Sequence, residues 1–162
     1  MRRVDVGDRG TVELSTYLLN NLRAVHGDRL DPWLDALPET LATILDQLDA
    51  RIVPGVPPLS YHLVFFAEHN DGTGIVVKCT IPNDEQPPEL AAVHALSDAG
   101  IGPRLLWADL ELGALVMERV TPGEMLPREL PSLEDDATTT RLLATLARRI
   151  ATEVDVTPWR DA

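Results

Sequence analysis

The stretch YHLVFFAEHNDGTGIVVKCT, residues 61–80, decides the fold. Residues 61–69 and residues 74–80 are two runs rich in β-branched and aromatic side chains, as strands are. The polar segment between them contains Asp71-Gly72, which is a strong signal for a tight β-turn. We therefore predict an antiparallel hairpin whose second strand, GIVVKCT, carries Lys78 close to its end.

Lys78 is the only lysine of the chain, and arginine supplies all the other Lys and Arg residues. An ammonium is a compact charge on a long flexible stem, and the planar fork of a guanidinium cannot replace it at every site. Considered alone, a lysine at the end of a strand is typical of an exposed position. The order of the elements around Lys78 is what favours a binding role.

Two helices are predicted before this hairpin. Leucines at helical spacing predict the first helix over residues 11–25, with Thr11 as a possible N-cap. The second is predicted over residues 31–52, with Asp31 as its cap and a kink or restart at Pro38. A proline-rich connector, VPGVPPLS, then leads into the hairpin.

A helix and a second hairpin are predicted after Lys78. A proline-ended loop leads to a helix over residues 89–100, which Gly100 ends. Residues 104–110 and 114–120 form two more strands, and after a loop the last helix covers residues 134–154. The fold class is therefore α+β: an antiparallel sheet of hairpins with one intervening helix, preceded by two helices and followed by a C-terminal helix.

Composition restricts the possible functions. The 162 residues suffice for one domain with a hydrophobic core, and the formal net charge of −12 argues against nucleic-acid binding. The same charge would suit a cationic small molecule, although solubility alone also explains it. Because Cys79 is the single cysteine and no apolar run reaches membrane-spanning length, we expect no internal disulfide, no membrane association and a cytoplasmic location.

The order of lysine strand, helix and second hairpin is that of the N-terminal lobe of kinases. The segment VVKCTIPNDEQPPELAAVHALSDAGIGPRLLWADLELGALVMERVTPGEML, residues 76–126, resembles the N-lobe of aminoglycoside phosphotransferases. It is most similar to the branch of streptomycin 6-phosphotransferases and hydroxyurea-resistance kinases. The resemblance covers roughly residues 31–155 and implies an ATP-dependent phosphotransferase that inactivates an aminoglycoside or streptomycin-type antibiotic at an alcohol group.

The resemblance also implies which residues bind ATP. Lys78 contacts the phosphates, and Glu89 orients Lys78, with Glu85 as the second choice. Ser60 and Tyr61 line the loop that covers the phosphates. In this loop Gly55 is the only glycine, so few backbone amides can approach a phosphate closely.

A hinge strand is the other part of the implied nucleotide site. The carbonyl of Glu118 and the N–H of Val120 would bind adenine, and Met117 would be the gatekeeper side chain. A strand that simply ends in a β-turn is the alternative interpretation of this segment. The implied domain division is a helical N-terminal segment (1–52), a kinase-like N-lobe with its hinge (53–123), and a linker with a C-terminal helix (124–162).

Phosphoryl transfer also needs groups that hold Mg²⁺ and orient the acceptor hydroxyl. In the resembled family these come from an HGDxxxxN loop and a later Asp in a C-terminal lobe, and neither is found after the hinge. His26-Gly27-Asp28 precedes the lysine strand, and Trp33 stands where the Asn is required. We therefore interpret Gly27 as a helix stop and expect no catalytic or metal-binding residue in this chain, with Mg²⁺ required only if a C-lobe is supplied.

Two functions of different classes therefore remain open. The first is a nucleotide-binding lobe, which would not transfer phosphate without a catalytic lobe. The second is a non-catalytic interaction module or truncated remnant that forms a homodimer or pairs with a separate C-lobe, because an N-lobe alone would expose its apolar cleft.

The remaining candidate residues are expected to be structural. His62, His69 and His94 show no metal-ligand spacing with Cys79, which should be buried on the strand face opposite Lys78. Trp107 could face the cleft but is more typical of the core. The acidic run at residues 134–136 complements the start of the last helix.

Overall fold

A computed structural model describes residues 1–55, 61–121 and 133–154 of the chain, without the side chains of residues 133–135. The strands and helices follow one another in the order β1 (Arg2–Asp5), β2 (Thr11–Leu14), α1 (Thr16–His26), α2 (Leu30–Gln47), β3 (Ala50–Val53), β4 (Leu63–His69), β5 (Gly74–Cys79), α3 (Gln86–Asp98), β6 (Leu105–Asp109), β7 (Ala114–Glu118) and α4 (Leu133–Glu153). Short 3-10 helices cover Gly7–Arg9 and Gly27–Arg29.

Strands β3 to β7 form one antiparallel sheet in the order β3-β4-β5-β7-β6, and β1 pairs with β2 in a separate hairpin. Helix α3 connects β5 to β6, so one helix lies between the two predicted hairpins. The α+β class, the two preceding helices and the C-terminal helix are confirmed. No helix among the described residues is both long and apolar enough to cross a membrane.

The first predicted helix was too long at its start. Residues 11–14 form β2 and pair with residues 2–5 of β1, which the sequence pattern had not indicated. Val12 and Leu14 face the core while Glu13 faces solvent, which is the alternation of a strand. The N-cap of α1 is therefore not Thr11 but Ser15, whose hydroxyl accepts a hydrogen bond from the N–H of Leu18 at 3.1 Å.

The second predicted helix was too long at its end. Helix α2 begins at Leu30, which leaves Asp31 in its first turn and not at its cap, and it continues through Pro38 without a restart. It stops at Gln47, and Asp49 takes the left-handed φ of 46° that turns the chain into β3. The predicted boundary between residues 52 and 53 thus falls inside β3.

Helix α3 starts earlier than predicted, at Gln86. Pro87 and Pro88 occupy its first turn, where the missing N–H groups would have had no helical partner in any case. The helix ends at Asp98. Gly100 follows with a φ of 63°, a left-handed conformation typical of the glycine that ends a helix.

The two faces of the large sheet have different environments. One face packs against the apolar sides of α1, α2 and the β1–β2 hairpin, and these elements share a single core. Its fully buried members with the largest side chains include Leu37, Leu41, Ile44, Phe65, Ile75 and Val77. On the opposite face Val64, Phe66, Val76 and Lys78 are only half-buried. This open face, defined by those four residues, carries the candidate site.

Candidate functional site

The side chains of Lys78 and Glu89 form an ion pair on the open face. The ammonium of Lys78 donates to the carboxylate of Glu89, which lies in the first turn of α3. The Lys78 side chain is 12% exposed and that of Glu89 is 34% exposed. A half-buried pair holds its charges more firmly than a solvent-exposed one, because water screens it less. The ammonium is therefore held in one position beside the sheet.

The strand register explains where the lysine points. Side chains alternate along β5, so Ile75, Val77 and Cys79 enter the core while Lys78 faces the open side. The neighbouring strands place Val64 and Leu115 directly beside Lys78. Both of these neighbours are apolar. Among the described residues, the ion-pair partner of the ammonium is Glu89.

The connection between β3 and β4 reaches the sheet at the lysine end of β5. Leu63, the first residue of β4, pairs with Cys79, so the connection ends beside Lys78. Tyr61 lies in this connection with an exposed side chain, and Ser60 is outside the described residues. Next to Tyr61, the ring nitrogen Nδ1 of His62 lies 3.4 Å from the hydroxyl of Thr80.

The predicted hinge residues lie at the other end of the same face. Met117 in β7 pairs with Val76, two residues before Lys78, which corresponds to a separation of about 7 Å along the strand. The side chain of Glu118 accepts a hydrogen bond from the N–H of Arg104 at 2.8 Å. Beyond β7, the Val120 side chain is exposed, and its N–H forms no hydrogen bond within the described part of the chain.

A cation–π contact lies at the end of the open face where Met117 is located. The guanidinium of Arg119 lies 4.0 Å from the centre of the Phe66 ring. The open face therefore extends from Phe66 and Met117 at one end to Lys78 at the other.

Two features of the site were not predicted from the sequence. Arg29, in the turn after α1, donates to the carbonyl of Pro82, and this contact ties the N-terminal helices to the segment before α3. Glu85 forms no ion pair with Lys78 and instead lies near His26, where its charge partly offsets the lowering of the His26 pKa by burial and Arg29. Neither contact can be predicted from a local sequence pattern, because Arg29 and Pro82, like His26 and Glu85, are more than fifty residues apart in the sequence.

The segment His26-Gly27-Asp28 has the structure of a helix end. Helix α1 stops at His26. Gly27 follows with a φ of 55°, a conformation that favours glycine where the chain leaves a helix. The prediction that Gly27 is a helix stop is confirmed.

Other candidate groups take structural positions. Cys79 is completely buried, and this burial raises the pKa of its thiol to about 12, so the thiol stays protonated and is a poor nucleophile. His69 contacts the carbonyl of Leu48, His94 pairs with Asp98 one turn along α3, and Trp107 packs against the core. No group of three His, Cys, Asp or Glu side chains within residues 1–55, 61–121 and 136–154 could hold a metal ion.

Comparison with known proteins agrees with the resemblance seen in residues 76–126. No protein-family model matches the chain. It is 26% identical over 139 residues to streptomycin 6-kinase of Streptomyces glaucescens, which covers 86% of this chain and 44% of that protein. It is 29% identical over 124 residues to streptomycin 6-kinase of Streptomyces griseus, with coverages of 76% and 39%. The chain thus spans less than half the length of both relatives, and these similarities support the predicted aminoglycoside phosphotransferase family.

Proposed function

We propose that this chain contains the nucleotide-binding lobe of an ATP-dependent phosphotransferase whose acceptor is an alcohol group of a streptomycin-type aminoglycoside. The observation that carries this proposal is the Lys78–Glu89 ion pair on the open face of the sheet. The similarity to two proteins named streptomycin 6-kinase supports the kinase class. The net charge of −12 is compatible with a cationic acceptor, which would associate faster with an acidic protein.

In this proposal the two ends of the open face bind the two ends of ATP. Lys78 contacts the phosphates while Glu89 keeps its ammonium in place. At the hinge end, the carbonyl of Glu118 and the N–H of Val120 bind the adenine edge beside Met117. Ser60 and Tyr61 cover the phosphates from the β3–β4 connection.

Phosphate transfer would require a second lobe. We propose that a C-terminal lobe supplies the carboxylate that orients the acceptor hydroxyl and the side chains that hold Mg²⁺. The residues of the nucleotide-binding lobe would then bind ATP but would not turn it over alone. Robust streptomycin phosphorylation by residues 1–162 that is abolished in Lys78→Ala would contradict this part of the proposal.

Removal of the Lys78 ammonium is expected to weaken ATP binding at least tenfold, because a charged hydrogen bond to phosphate is worth about 1.5–3 kcal/mol. Lys78→Arg should also bind more weakly, since a planar guanidinium cannot serve the phosphates and Glu89 in the same geometry. Isothermal titration calorimetry with ATP measures both variants against the unmodified chain.

The matched control for this experiment is Arg51→Ala. Arg51 and Glu68 form a cross-strand ion pair at 3.0 Å in the same sheet, between β3 and β4. Its loss removes one positive charge, as Lys78→Ala does, but away from the proposed phosphate position. Equal ATP affinities of Lys78→Ala and Arg51→Ala would refute the nucleotide site.

A second function, self-association, is favoured by the surface of α4. The helix carries three exposed leucines, Leu142, Leu143 and Leu146, whose exposed fractions are 66%, 56% and 39%. Adjacent exposed apolar side chains are a common feature of contact surfaces between proteins. We propose as the alternative that the chain is a non-catalytic module in which α4 of one copy packs against another copy or against a separate C-lobe.

Self-association through α4 predicts a dimer in light scattering coupled to size exclusion, and Leu142→Asp should convert it to a monomer because a carboxylate cannot be buried unpaired in the contact. Val25→Asp is the control, since Val25 is similarly exposed, at 61%, but lies on α1. A stable monomer across the accessible concentration range would exclude the dimer.

A further inference from the structure

We propose that His62 binds the phosphates of the nucleotide as an imidazolium and takes up a proton from solvent when the nucleotide binds. This inference rests on the proposed function and adds a proton-coupled contact to the site of Lys78 and Glu89. No covalent bond changes: the proton is gained from solvent on binding and is returned on release.

The first support is the position of His62. Val64 pairs with Lys78 across β4 and β5, and His62 lies two residues before Val64, immediately before the start of β4. Its ring nitrogen Nδ1 is 3.4 Å from the hydroxyl of Thr80, which directly follows β5 and lies two residues after Lys78. The imidazole therefore lies at the end of β5 that carries Lys78.

The second support is the set of groups around the ring. Burial is the main cause that lowers the pKa of His62, and the positive charge of the Lys78 ammonium lowers it further. Glu89 at the start of α3 raises the pKa, His26 at the end of α1 lowers it, and Glu85 raises it least strongly. The pKa therefore lies below its usual value of 6.5, and the free imidazole is neutral at neutral pH.

The third support is the balance of charge at this end of the face. The charge of Lys78 is already balanced by Glu89. Residues 54–60 include three prolines, which have no N–H to donate, and one glycine, Gly55. A triphosphate beside Lys78 would favour the charged form of His62, since a nearby negative charge raises the pKa of a histidine. Protonation then adds a charged donor at this end of the face.

The sign of the pH effect follows from these charges. In the free protein His62 is neutral, and in the complex with ATP its pKa is raised. The affinity for ATP therefore increases as the pH falls from the pKa of His62 in the complex toward its pKa in the free protein. We expect His62→Gln to bind ATP about tenfold more weakly than the unmodified chain near pH 6. Near pH 8, where both side chains are neutral, the two affinities should agree within about twofold.

Calorimetry in two buffers of different ionisation enthalpy measures the proton uptake directly. At pH 7 the unmodified chain should take up more protons on binding ATP than His62→Gln does, by up to about one proton. The comparison between the two chains is needed because a terminal phosphate itself titrates near pH 6. Inorganic tripolyphosphate should show the same difference between the chains, and adenosine should show none.

Two further variants separate charge from structure. His62→Lys places a permanent charge at the same position, so its affinity for ATP should depend on pH no more than that of His62→Gln does. His94→Gln is the matched control, because His94 pairs with Asp98 on α3 and is not among the groups whose charge acts on His62. It should keep both the affinity and the proton uptake of the unmodified chain.

The outcomes distinguish this inference from the proposed function. If ATP binds with the same affinity, pH dependence and proton uptake in the unmodified chain and in His62→Gln, the role of His62 is refuted and the nucleotide site stands. A loss of affinity in His62→Gln that is equal near pH 6 and pH 8 would refute it too, as a purely structural effect. If neither ATP nor tripolyphosphate binds to the unmodified chain, both proposals are refuted.

Discussion

Gly113→Ala is expected to lower the free energy of unfolding by about 2–5 kcal/mol, because it combines backbone strain with a steric overlap. Gly113 lies between β6 and β7 with a φ of 69°, a conformation that side-chain-bearing residues adopt at a cost. A Cβ at this position would overlap the carbonyl oxygen of Thr80. The backbone cannot simply separate, since the Thr80 N–H donates to the Gly113 carbonyl at 2.9 Å.

Gly100→Ala is the matched control for this variant. Gly100 has nearly the same φ, 63°, but a Cβ there would meet no atom within 4 Å. It should therefore show only the backbone cost, about 1 kcal/mol. Urea unfolding of both variants, followed by circular dichroism, measures the difference. Equal losses in the two would mean that the close approach to Thr80 contributes nothing.

Leu41→Ala is expected to lower the free energy of unfolding by about 2–5 kcal/mol, the usual range for a leucine removed from a well-packed core. Leu41 lies on α2, is completely buried, and belongs to the core that α2 shares with Phe65 of β4 and Val77 of β5. Because helices and sheet share this core, unfolding should remain one cooperative transition at a lower urea concentration. Far-ultraviolet circular dichroism and tryptophan fluorescence should follow the same curve.

Val25→Ala serves as the comparison for Leu41→Ala. Val25 is an aliphatic residue on helix α1 but is 61% exposed, so its loss should change stability by less than about 0.5 kcal/mol. Two separate transitions in Leu41→Ala, one for helix and one for sheet, would show that residues 1–52 fold as an independent unit.

Local signals predicted the central hairpin well. The β4–β5 hairpin depends on the turn at Asp71-Gly72, where Gly72 has a φ of 87° and the Asp71 side chain accepts a hydrogen bond from the N–H of Thr73 at 2.8 Å. Every determinant of this turn lies within a few neighbouring residues. The alternation of β5 also predicted that Cys79 would be buried opposite Lys78, as it is.

The ends of the helices were predicted less well, because short strands compete there with helical spacing. β2 and β3 are each four residues long and lie directly beside leucine-rich helices. Residues 11–14 become a strand by pairing with β1, and residues 50–53 by pairing with β4. Strand pairing depends on the partner strand, which helical periodicity does not report.

The sequence by itself determined the α+β class, the order of lysine strand, helix and second hairpin, and Lys78 and Glu89 as a candidate pair. These depend on local turn chemistry, side-chain alternation and the resemblance of an ordered set of motifs. Only the tertiary structure decided that α1 and α2 cover one sheet face, that His62 contacts Thr80 at the end of β5, and that Arg29 reaches Pro82. These contacts join residues far apart in the chain, and their formation depends on how the apolar faces pack together.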